Sequence, residues 1–237
     1  MQLIRSWLYT VFLGVSTVVY ASAILLMSLW YGLDSRSRWA NKWGAANMWA
    51  LRVICKLDYE IIGAENLPTT NCIVMVNHQS TWETLALRAI LPANQAWVVK
   101  QELLAIPFFG WTLRVLESIA IDRAAGIKAL KHVLKHGTDA LNQGRWVIIF
   151  PEGTRVPLGE QKKYNIGGAM LAEKSGYPIL PVAHNAGMFW NPKSTVKNRG
   201  KIKVVIGPLI QTRGKTTGQI NSAVKDWLDP QVKSLIL

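Results

Sequence analysis

Two cysteines, Cys55 and Cys72, are all that the 237-residue chain contains, and acidic residues are scarce, with 14 Asp and Glu against 27 Lys and Arg. The cysteines have neither metal-ligand spacing nor the density of a disulfide framework, so both read as small buried hydrophobes in a reducing compartment. The shortage of acid leaves a net charge of +13, which calls for an anionic partner. Nucleic acid does not suit that role, because no nucleic-acid motif occurs and the aromatics are not interleaved with basic clusters. Other chemistries are missing as well. No GxxxxGK[ST] loop is present, and no GxSxG elbow surrounds Ser80. His132 and His136 have the spacing of a metal pair but lack the glutamate of HExxH, and Lys131 and Lys135 make that face a solvated cationic one, so no metal site is expected. His184 reads as a satisfied structural histidine, with a place bordering the site as the alternative because it follows a strand.

What the chain has in plenty is tryptophan and one long apolar run. From Ser6 to Leu33 no residue is charged, a stretch longer than the ~20 apolar residues that a bilayer-spanning helix needs. A membrane segment is the leading reading, with a one-leaflet hairpin still open; Ala21-Ser22-Ala23 resembles a signal-cleavage site, but the apolar run continues past it. Trp7, Trp30, Trp39, Trp43 and Trp49 suit a membrane interface. Arg36, Arg38, Lys42, Arg52 and Lys56 follow the run, which predicts an inner, cytoplasmic membrane location with the catalytic body facing the cytoplasm. Within 39–57, Trp39, Trp43, Ala46, Ala50, Val53 and Leu57 form one helical stripe beside Lys42, Arg52 and Lys56, the pattern of an interfacial helix on an anionic membrane surface. The expected division is therefore residues 1–58 for attachment and 59–237 for the catalytic domain.

Beyond Glu60, strand-like and helix-like segments alternate, the pattern of an α/β domain, with no repeat or long linker. Strands are expected at 72–76, 96–99, 118–121, 146–150, 179–183 and 202–206. Helices are expected at 80–90, 125–142, 167–175 and 217–228, the last stopping before Pro230.

The tract Asn77-His78-Gln79-Ser80-Thr81-Trp82-Glu83 directly follows the strand Cys72–Val76. Such a strand delivers His78 to its C-terminal end, where open α/β sheets build their sites. Glu83 falls in the first turn of the next helix and can curl back to the imidazole, forming a general base with an orienting carboxylate. Ser80-x-x-Glu83 also reads as a capping box, which needs no catalysis. A second strand, Arg145–Phe150, runs into Pro151-Glu152-Gly153-Thr154-Arg155, a tight turn ending in a planar guanidinium suited to phosphate. Alone, that turn could carry an ordinary surface salt bridge.

Together with Gly110 through Ile121-Asp122-Arg123 and the strand Ile179–Val182, these tracts resemble the lysophosphatidic acid acyltransferases of the glycerophospholipid acyltransferase superfamily. The similarity spans roughly residues 60 to 210; the FPEGTR block stands unchanged at Phe150–Arg155, while Glu83 replaces the aspartate usual in the NHxxxxD block. The resemblance implies an α/β fold with a central mixed β-sheet flanked by helices. It implies transfer of a fatty acyl group from acyl-CoA or acyl carrier protein to the free hydroxyl of 1-acyl-glycerol-3-phosphate, without metal or redox cofactor. His78 and Glu83 would be catalytic; in the substrate-binding set Gly153 and Arg155, with Thr154 between them and Glu152 shaping the loop, would bind the acceptor's phosphate, and Lys100 and Arg123 are the other cations placed to contact it. The rival expectations are another lysolipid acceptor such as a lyso-ornithine lipid, a membrane thioesterase or phospholipase, and a non-catalytic basic adaptor.

Overall fold

The most apolar runs form the centre of a sheet. In the computed structural model, which describes residues 1–236, β2 (Ile73–Val76), β5 (Trp146–Ile149) and β6 (Ile179–His184) are buried at every position. That is what strands covered on both faces require. They are joined by β1 (Leu57–Ile62), β3 (Gln95–Lys100), β4 (Ile119–Ile121) and β7 (Gly200–Ile206) in the order β1-β7-β6-β2-β5-β3-β4. Neighbouring strands are parallel except β6 and β7. Strands β2 to β6 therefore bring their C-terminal ends to one edge, whereas β1 and β7 run the other way, and the sheet is mixed as expected.

Alternation along β2 divides the core. Val74 and Val76 face a layer with Tyr9, Met48 and Leu85, while Ile73 and Met75 face Leu171 and Ile179's neighbours Ile220 and Val224. The first layer comes from α1 (Gln2–Met27), α2 (Leu33–Ala50) and α3 (Trp82–Ile90). The second comes from α5 (Ile127–Asn142), α6 (Gly167–Ser175) and α7 (Thr217–Ile236), while a short α4 (Phe109–Val115) after β3 packs against α1 on the first side.

Three expectations need correction. The stripe at 39–57 is mostly a packing face: Ala50 and Leu57 are buried, and Trp39 and Trp43 pack against core clusters, leaving Trp49 and Val53 as exposed large apolar members of this region. Close approach explains it, since a Cβ at Gly44 would lie 2.7 Å from the Leu85 carbonyl and 2.7 Å from the Arg88 Cβ on α3. Leu57 is not helical either. The helix closes with a π turn at Leu51–Cys55, Lys56 turns left-handed (φ 57°), and β1 begins. Finally, α7 continues through Pro230 to Ile236, held by Val232 and Leu235 against the second layer and by the Asn185 side-chain N–H donated to the Leu235 carbonyl at 3.0 Å.

Helix α1 is long and apolar enough to cross a membrane, but its polarity is inverted relative to a water-facing helix. Ser6, Tyr9, Ser16, Ala21 and Ile24 face the body, and Leu3, Ile4, Trp7, Leu8, Val11, Val15, Val18 and Val19 face outward. Both ends are docked. Near its start, Gln2 donates to the Lys197 carbonyl and Ser6 Oγ accepts the Lys197 N–H at 2.9 Å; near its end, Ile24 packs with Ala40 and Leu116.

Candidate active site

Strand β2 ends at Val76 and places Asn77 and His78 on the shared C-terminal edge. The His78 Nδ1 lies 2.8 Å from Glu83 Oε1, which also accepts the N–H groups of Gln79 at 2.8 Å and Ser80 at 2.7 Å. Ser80 Oγ accepts the Trp82 N–H at 3.2 Å. Glu83 therefore does two things at once: it completes a capping arrangement and holds the imidazole. A carboxylate at Nδ1 sets the proton there and leaves the Nε2 lone pair free. Among the described residues no protein group hydrogen-bonds to that Nε2. The ring stacks on Phe150, centroids 4.0 Å apart and 19° from parallel, which fixes its plane. Burial opposes ionisation of Glu83, yet the two nearby histidines and the Ser80 N–H hold its carboxyl below the usual range.

The FPEGTR loop after β5 clamps the same histidine from behind. Glu152 Oε2 accepts the His78 N–H at 3.2 Å, and the Val156 N–H donates to the His78 carbonyl at 2.7 Å. Glu152 is thus buried between two loops, where its side chain braces the His78 backbone and shapes the turn. Burial pushes its pKa up to about 8. Gly153 sits at φ 68°, and a Cβ there would come within 2.6 Å of the Asn165 side-chain nitrogen, which donates to the Pro151 carbonyl at 3.0 Å. No other residue fits that turn without strain. Thr154 and Arg155 follow on the exposed side, and no ion pair involves Arg155 among the described residues.

A cavity of about 440 Å³ opens beside His78. Its polar rim includes Lys100, Arg123 and Arg155, so the sheet edge gathers the expected cations from three different loops. Lys100 is partly engaged by Glu102 at 2.7 Å. Its interior is mostly apolar: Leu85, Val98, Leu103, Ile106, Phe109, Leu113 and Leu116 line it with the buried Arg88 among them, and Leu13, Tyr20, Ala21 and Ile24 of α1 close one wall. A shape of this kind accepts an anionic head at the rim and a hydrocarbon chain inside.

Sequence reasoning missed several contributors. Phe150 opens the FPEGTR block, but its stacking on His78 follows only from β5 lying next to β2. Val156 acts through its backbone N–H, and Asn165 through a side-chain bond to the Pro151 carbonyl, far along the chain from the histidine tract, so neither stands out in the sequence. The wall provided by α1 has no motif at all.

Comparison with known proteins agrees with this arrangement. Residues 58–185 match the family model described as Acyltransferase. The chain is 39% identical over 232 residues to the 1-acyl-sn-glycerol-3-phosphate acyltransferase of Pseudomonas aeruginosa, covering 96% of this chain and 90% of that protein. It is 30% identical to the enzyme of that name from Saccharomyces cerevisiae, over 78% of this chain and 62% of that one. The crystal structure of the 1-acyl-sn-glycerophosphate (LPA) acyltransferase from Thermotoga maritima shares the fold, with a TM-score of 0.81 at 24% identity, covering 100% of this chain and 98% of that one. With its family domain, its fold and a relative matched almost end to end, this chain belongs to the 1-acyl-sn-glycerol-3-phosphate acyltransferase family and is an acyltransferase.

Proposed function

We propose that the protein moves a fatty acyl group from a thioester donor, acyl-CoA or acyl carrier protein, directly to the free hydroxyl of 1-acyl-glycerol-3-phosphate, giving phosphatidic acid. The observation that carries this reading is the free Nε2 of His78 at the mouth of an apolar cavity rimmed by Lys100, Arg123 and Arg155. His78 Nε2 takes the hydroxyl proton as the oxygen attacks the thioester carbonyl. Glu83 keeps the tautomer and offsets the imidazolium charge. The carbon–sulfur bond then breaks, and the thiolate leaves with the proton returned by His78 or water. The chain's cations bind the acceptor phosphate; Arg155, with no acidic partner among the described residues and a planar fork, is the leading contact. No metal or redox group has a step in this chemistry.

Attachment follows from α1. Its outward apolar face supports membrane binding, and its docking at both ends supports a helix lying in one leaflet beside the catalytic body rather than crossing to the far side.

Thiol release from acyl-CoA by purified protein, with and without lysophosphatidic acid, glycerol 3-phosphate and lyso-ornithine lipid, tests the reading. Release that depends on lysophosphatidic acid and yields phosphatidic acid is expected. Acceptor-independent release of free fatty acid would make it a thioesterase, and preference for lyso-ornithine lipid would change the acceptor.

A further inference from the structure

Glu83 has two oxygens, and the protein uses them unequally. Oε1 accepts the three N–H groups described above, whereas Oε2 is buried and has no hydrogen-bond partner among the described residues. An unmatched carboxylate oxygen in the interior is expensive unless something nearby carries positive potential. The ring of His184, itself buried at the end of β6, supplies it: Nε2 lies 3.9 Å from Oε2.

The ring's proton is placed by its neighbours. The Ala186 N–H donates to His184 Nδ1 at 3.2 Å, so the proton resides on Nε2, which donates to the Asn77 carbonyl at 2.7 Å. Asn77 in turn brackets the His184 backbone, donating to its carbonyl at 3.0 Å and accepting its N–H at 2.9 Å. The edge of Trp82 closes the site, ring centroids 6.1 Å apart. One N–H edge therefore serves both the carbonyl just before His78 and the unmatched oxygen of Glu83. Burial keeps this ring below the ordinary imidazole range, so it acts at neutral pH as an oriented dipole and not as a second base.

We propose that His184 is a positioning residue for acyl transfer, acting through Glu83: its Nε2–H edge holds the longer carboxylate ionised and aimed at His78. The proposal rests on the His78–Glu83 reading of the site. A merely structural histidine would affect folding, not the coupling between Glu83 and turnover.

A double-mutant cycle separates these roles. H184L should lower kcat by ~10-fold or more, the scale of losing an orienting partner, with the KM values of donor and acceptor little changed. The same change in an E83Q background should add little, because the charge it serves is already gone. H184Q, whose amide N–H can reach the same carbonyl, should recover most of the activity. H184N, polar but too short, should behave like H184L and supplies the contrast if the leucine variant does not fold. Equal loss in the wild-type and E83Q backgrounds, or failure of H184Q to restore turnover at unchanged melting temperature, overturns the proposal. H78A measured alongside distinguishes the two levels: a fully active H78A removes the general-base reading itself, whereas an inactive H78A without His184–Glu83 coupling removes only the part given to His184.

Discussion

Two buried glutamates meet the same histidine and are driven in opposite directions. Glu83 reaches the His78 side chain and its carboxyl is held below the usual range; Glu152 reaches the His78 backbone and is pushed up to about 8. Burial alone does not distinguish them, since both are nearly inaccessible. Donors do. Glu83 Oε1 collects three N–H groups, including the imidazole, while Glu152 receives the His78 N–H at 3.2 Å and lies within the field of Glu83 and Asp229. The surroundings thus favour the charged form of the carboxylate that faces the imidazole and the neutral form of the one that braces the backbone.

Removing the partner they share gives the largest expected effect. H78A should lose ~10³-fold in turnover with folding and membrane attachment intact; near-wild-type turnover would remove the general base. The contrast itself is tested by paired amides. E83Q keeps the capping hydrogen bonds but not the charge, and a loss of ~10²-fold in kcat with little change in melting temperature is expected. E152Q imitates a carboxyl that is already neutral over most of the physiological range, so its turnover should stay within ~3-fold, as expected for a group outside proton transfer. If the two amides lose activity equally, the distinction between chemistry and bracing fails. R155A comes next in size: a lost charge-assisted bond of about 1.5–3 kcal/mol should raise the acceptor KM ~10-fold or more and leave the donor KM nearly unchanged. A rise confined to the donor would assign Arg155 to the CoA or carrier-protein side.

The smallest effect, and the sharpest, is in stability against pH. For Glu152 the folded pKa lies above the ordinary value of 4.5, so its contribution is whole below 4.5 and is lost as the pH climbs toward about 8. For Glu83 the folded pKa lies below 4.5, so its contribution is present above that value and is lost as the pH falls through the folded value. Denaturant melts of E152Q should flatten the slope between about 4.5 and about 8, and those of E83Q the acid slope. E152A, which strands the His78 N–H, should lose about 1–3 kcal/mol where E152Q does not.

Much of this site was readable from local chemistry. The runs at Ile73–Val76, Trp146–Ile149 and Ile179–His184 are apolar enough to demand burial on both faces, and each ends in a tract whose polar residues have no other place to go. The His78–Glu83 pair and the Gly153 turn are short-range and follow from spacing. Features set by partners distant in the chain were hidden. Strand β1 alternates Asp58 and Glu60 with apolar residues and looks like surface until β7 pairs with it. The packing of α2 depends on small residues such as Gly44, whose use is visible only with α3 beside it. Glu152 carries the same carboxylate as a phosphate-loop residue would, and only its contact with the His78 backbone reveals a brace. His184 drew attention only by its place after a strand; its alignment with Glu83 depends on the adjacency of β2 and β6.

Helix α1 has a consequence for how substrate is counted. Its Leu13, Tyr20, Ala21 and Ile24 wall the cavity while Val11, Val15, Val18 and Val19 face away from the body, so one helix separates the reaction chamber from the surroundings by a single layer of side chains. Under the membrane attachment proposed above, that outer face rests in lipid and both acceptor and product belong to the bilayer surface rather than to bulk water. The rate is then expected to follow the mole fraction of acceptor in the surface, so that diluting it with inert lipid at fixed bulk concentration slows turnover as withdrawing substrate would.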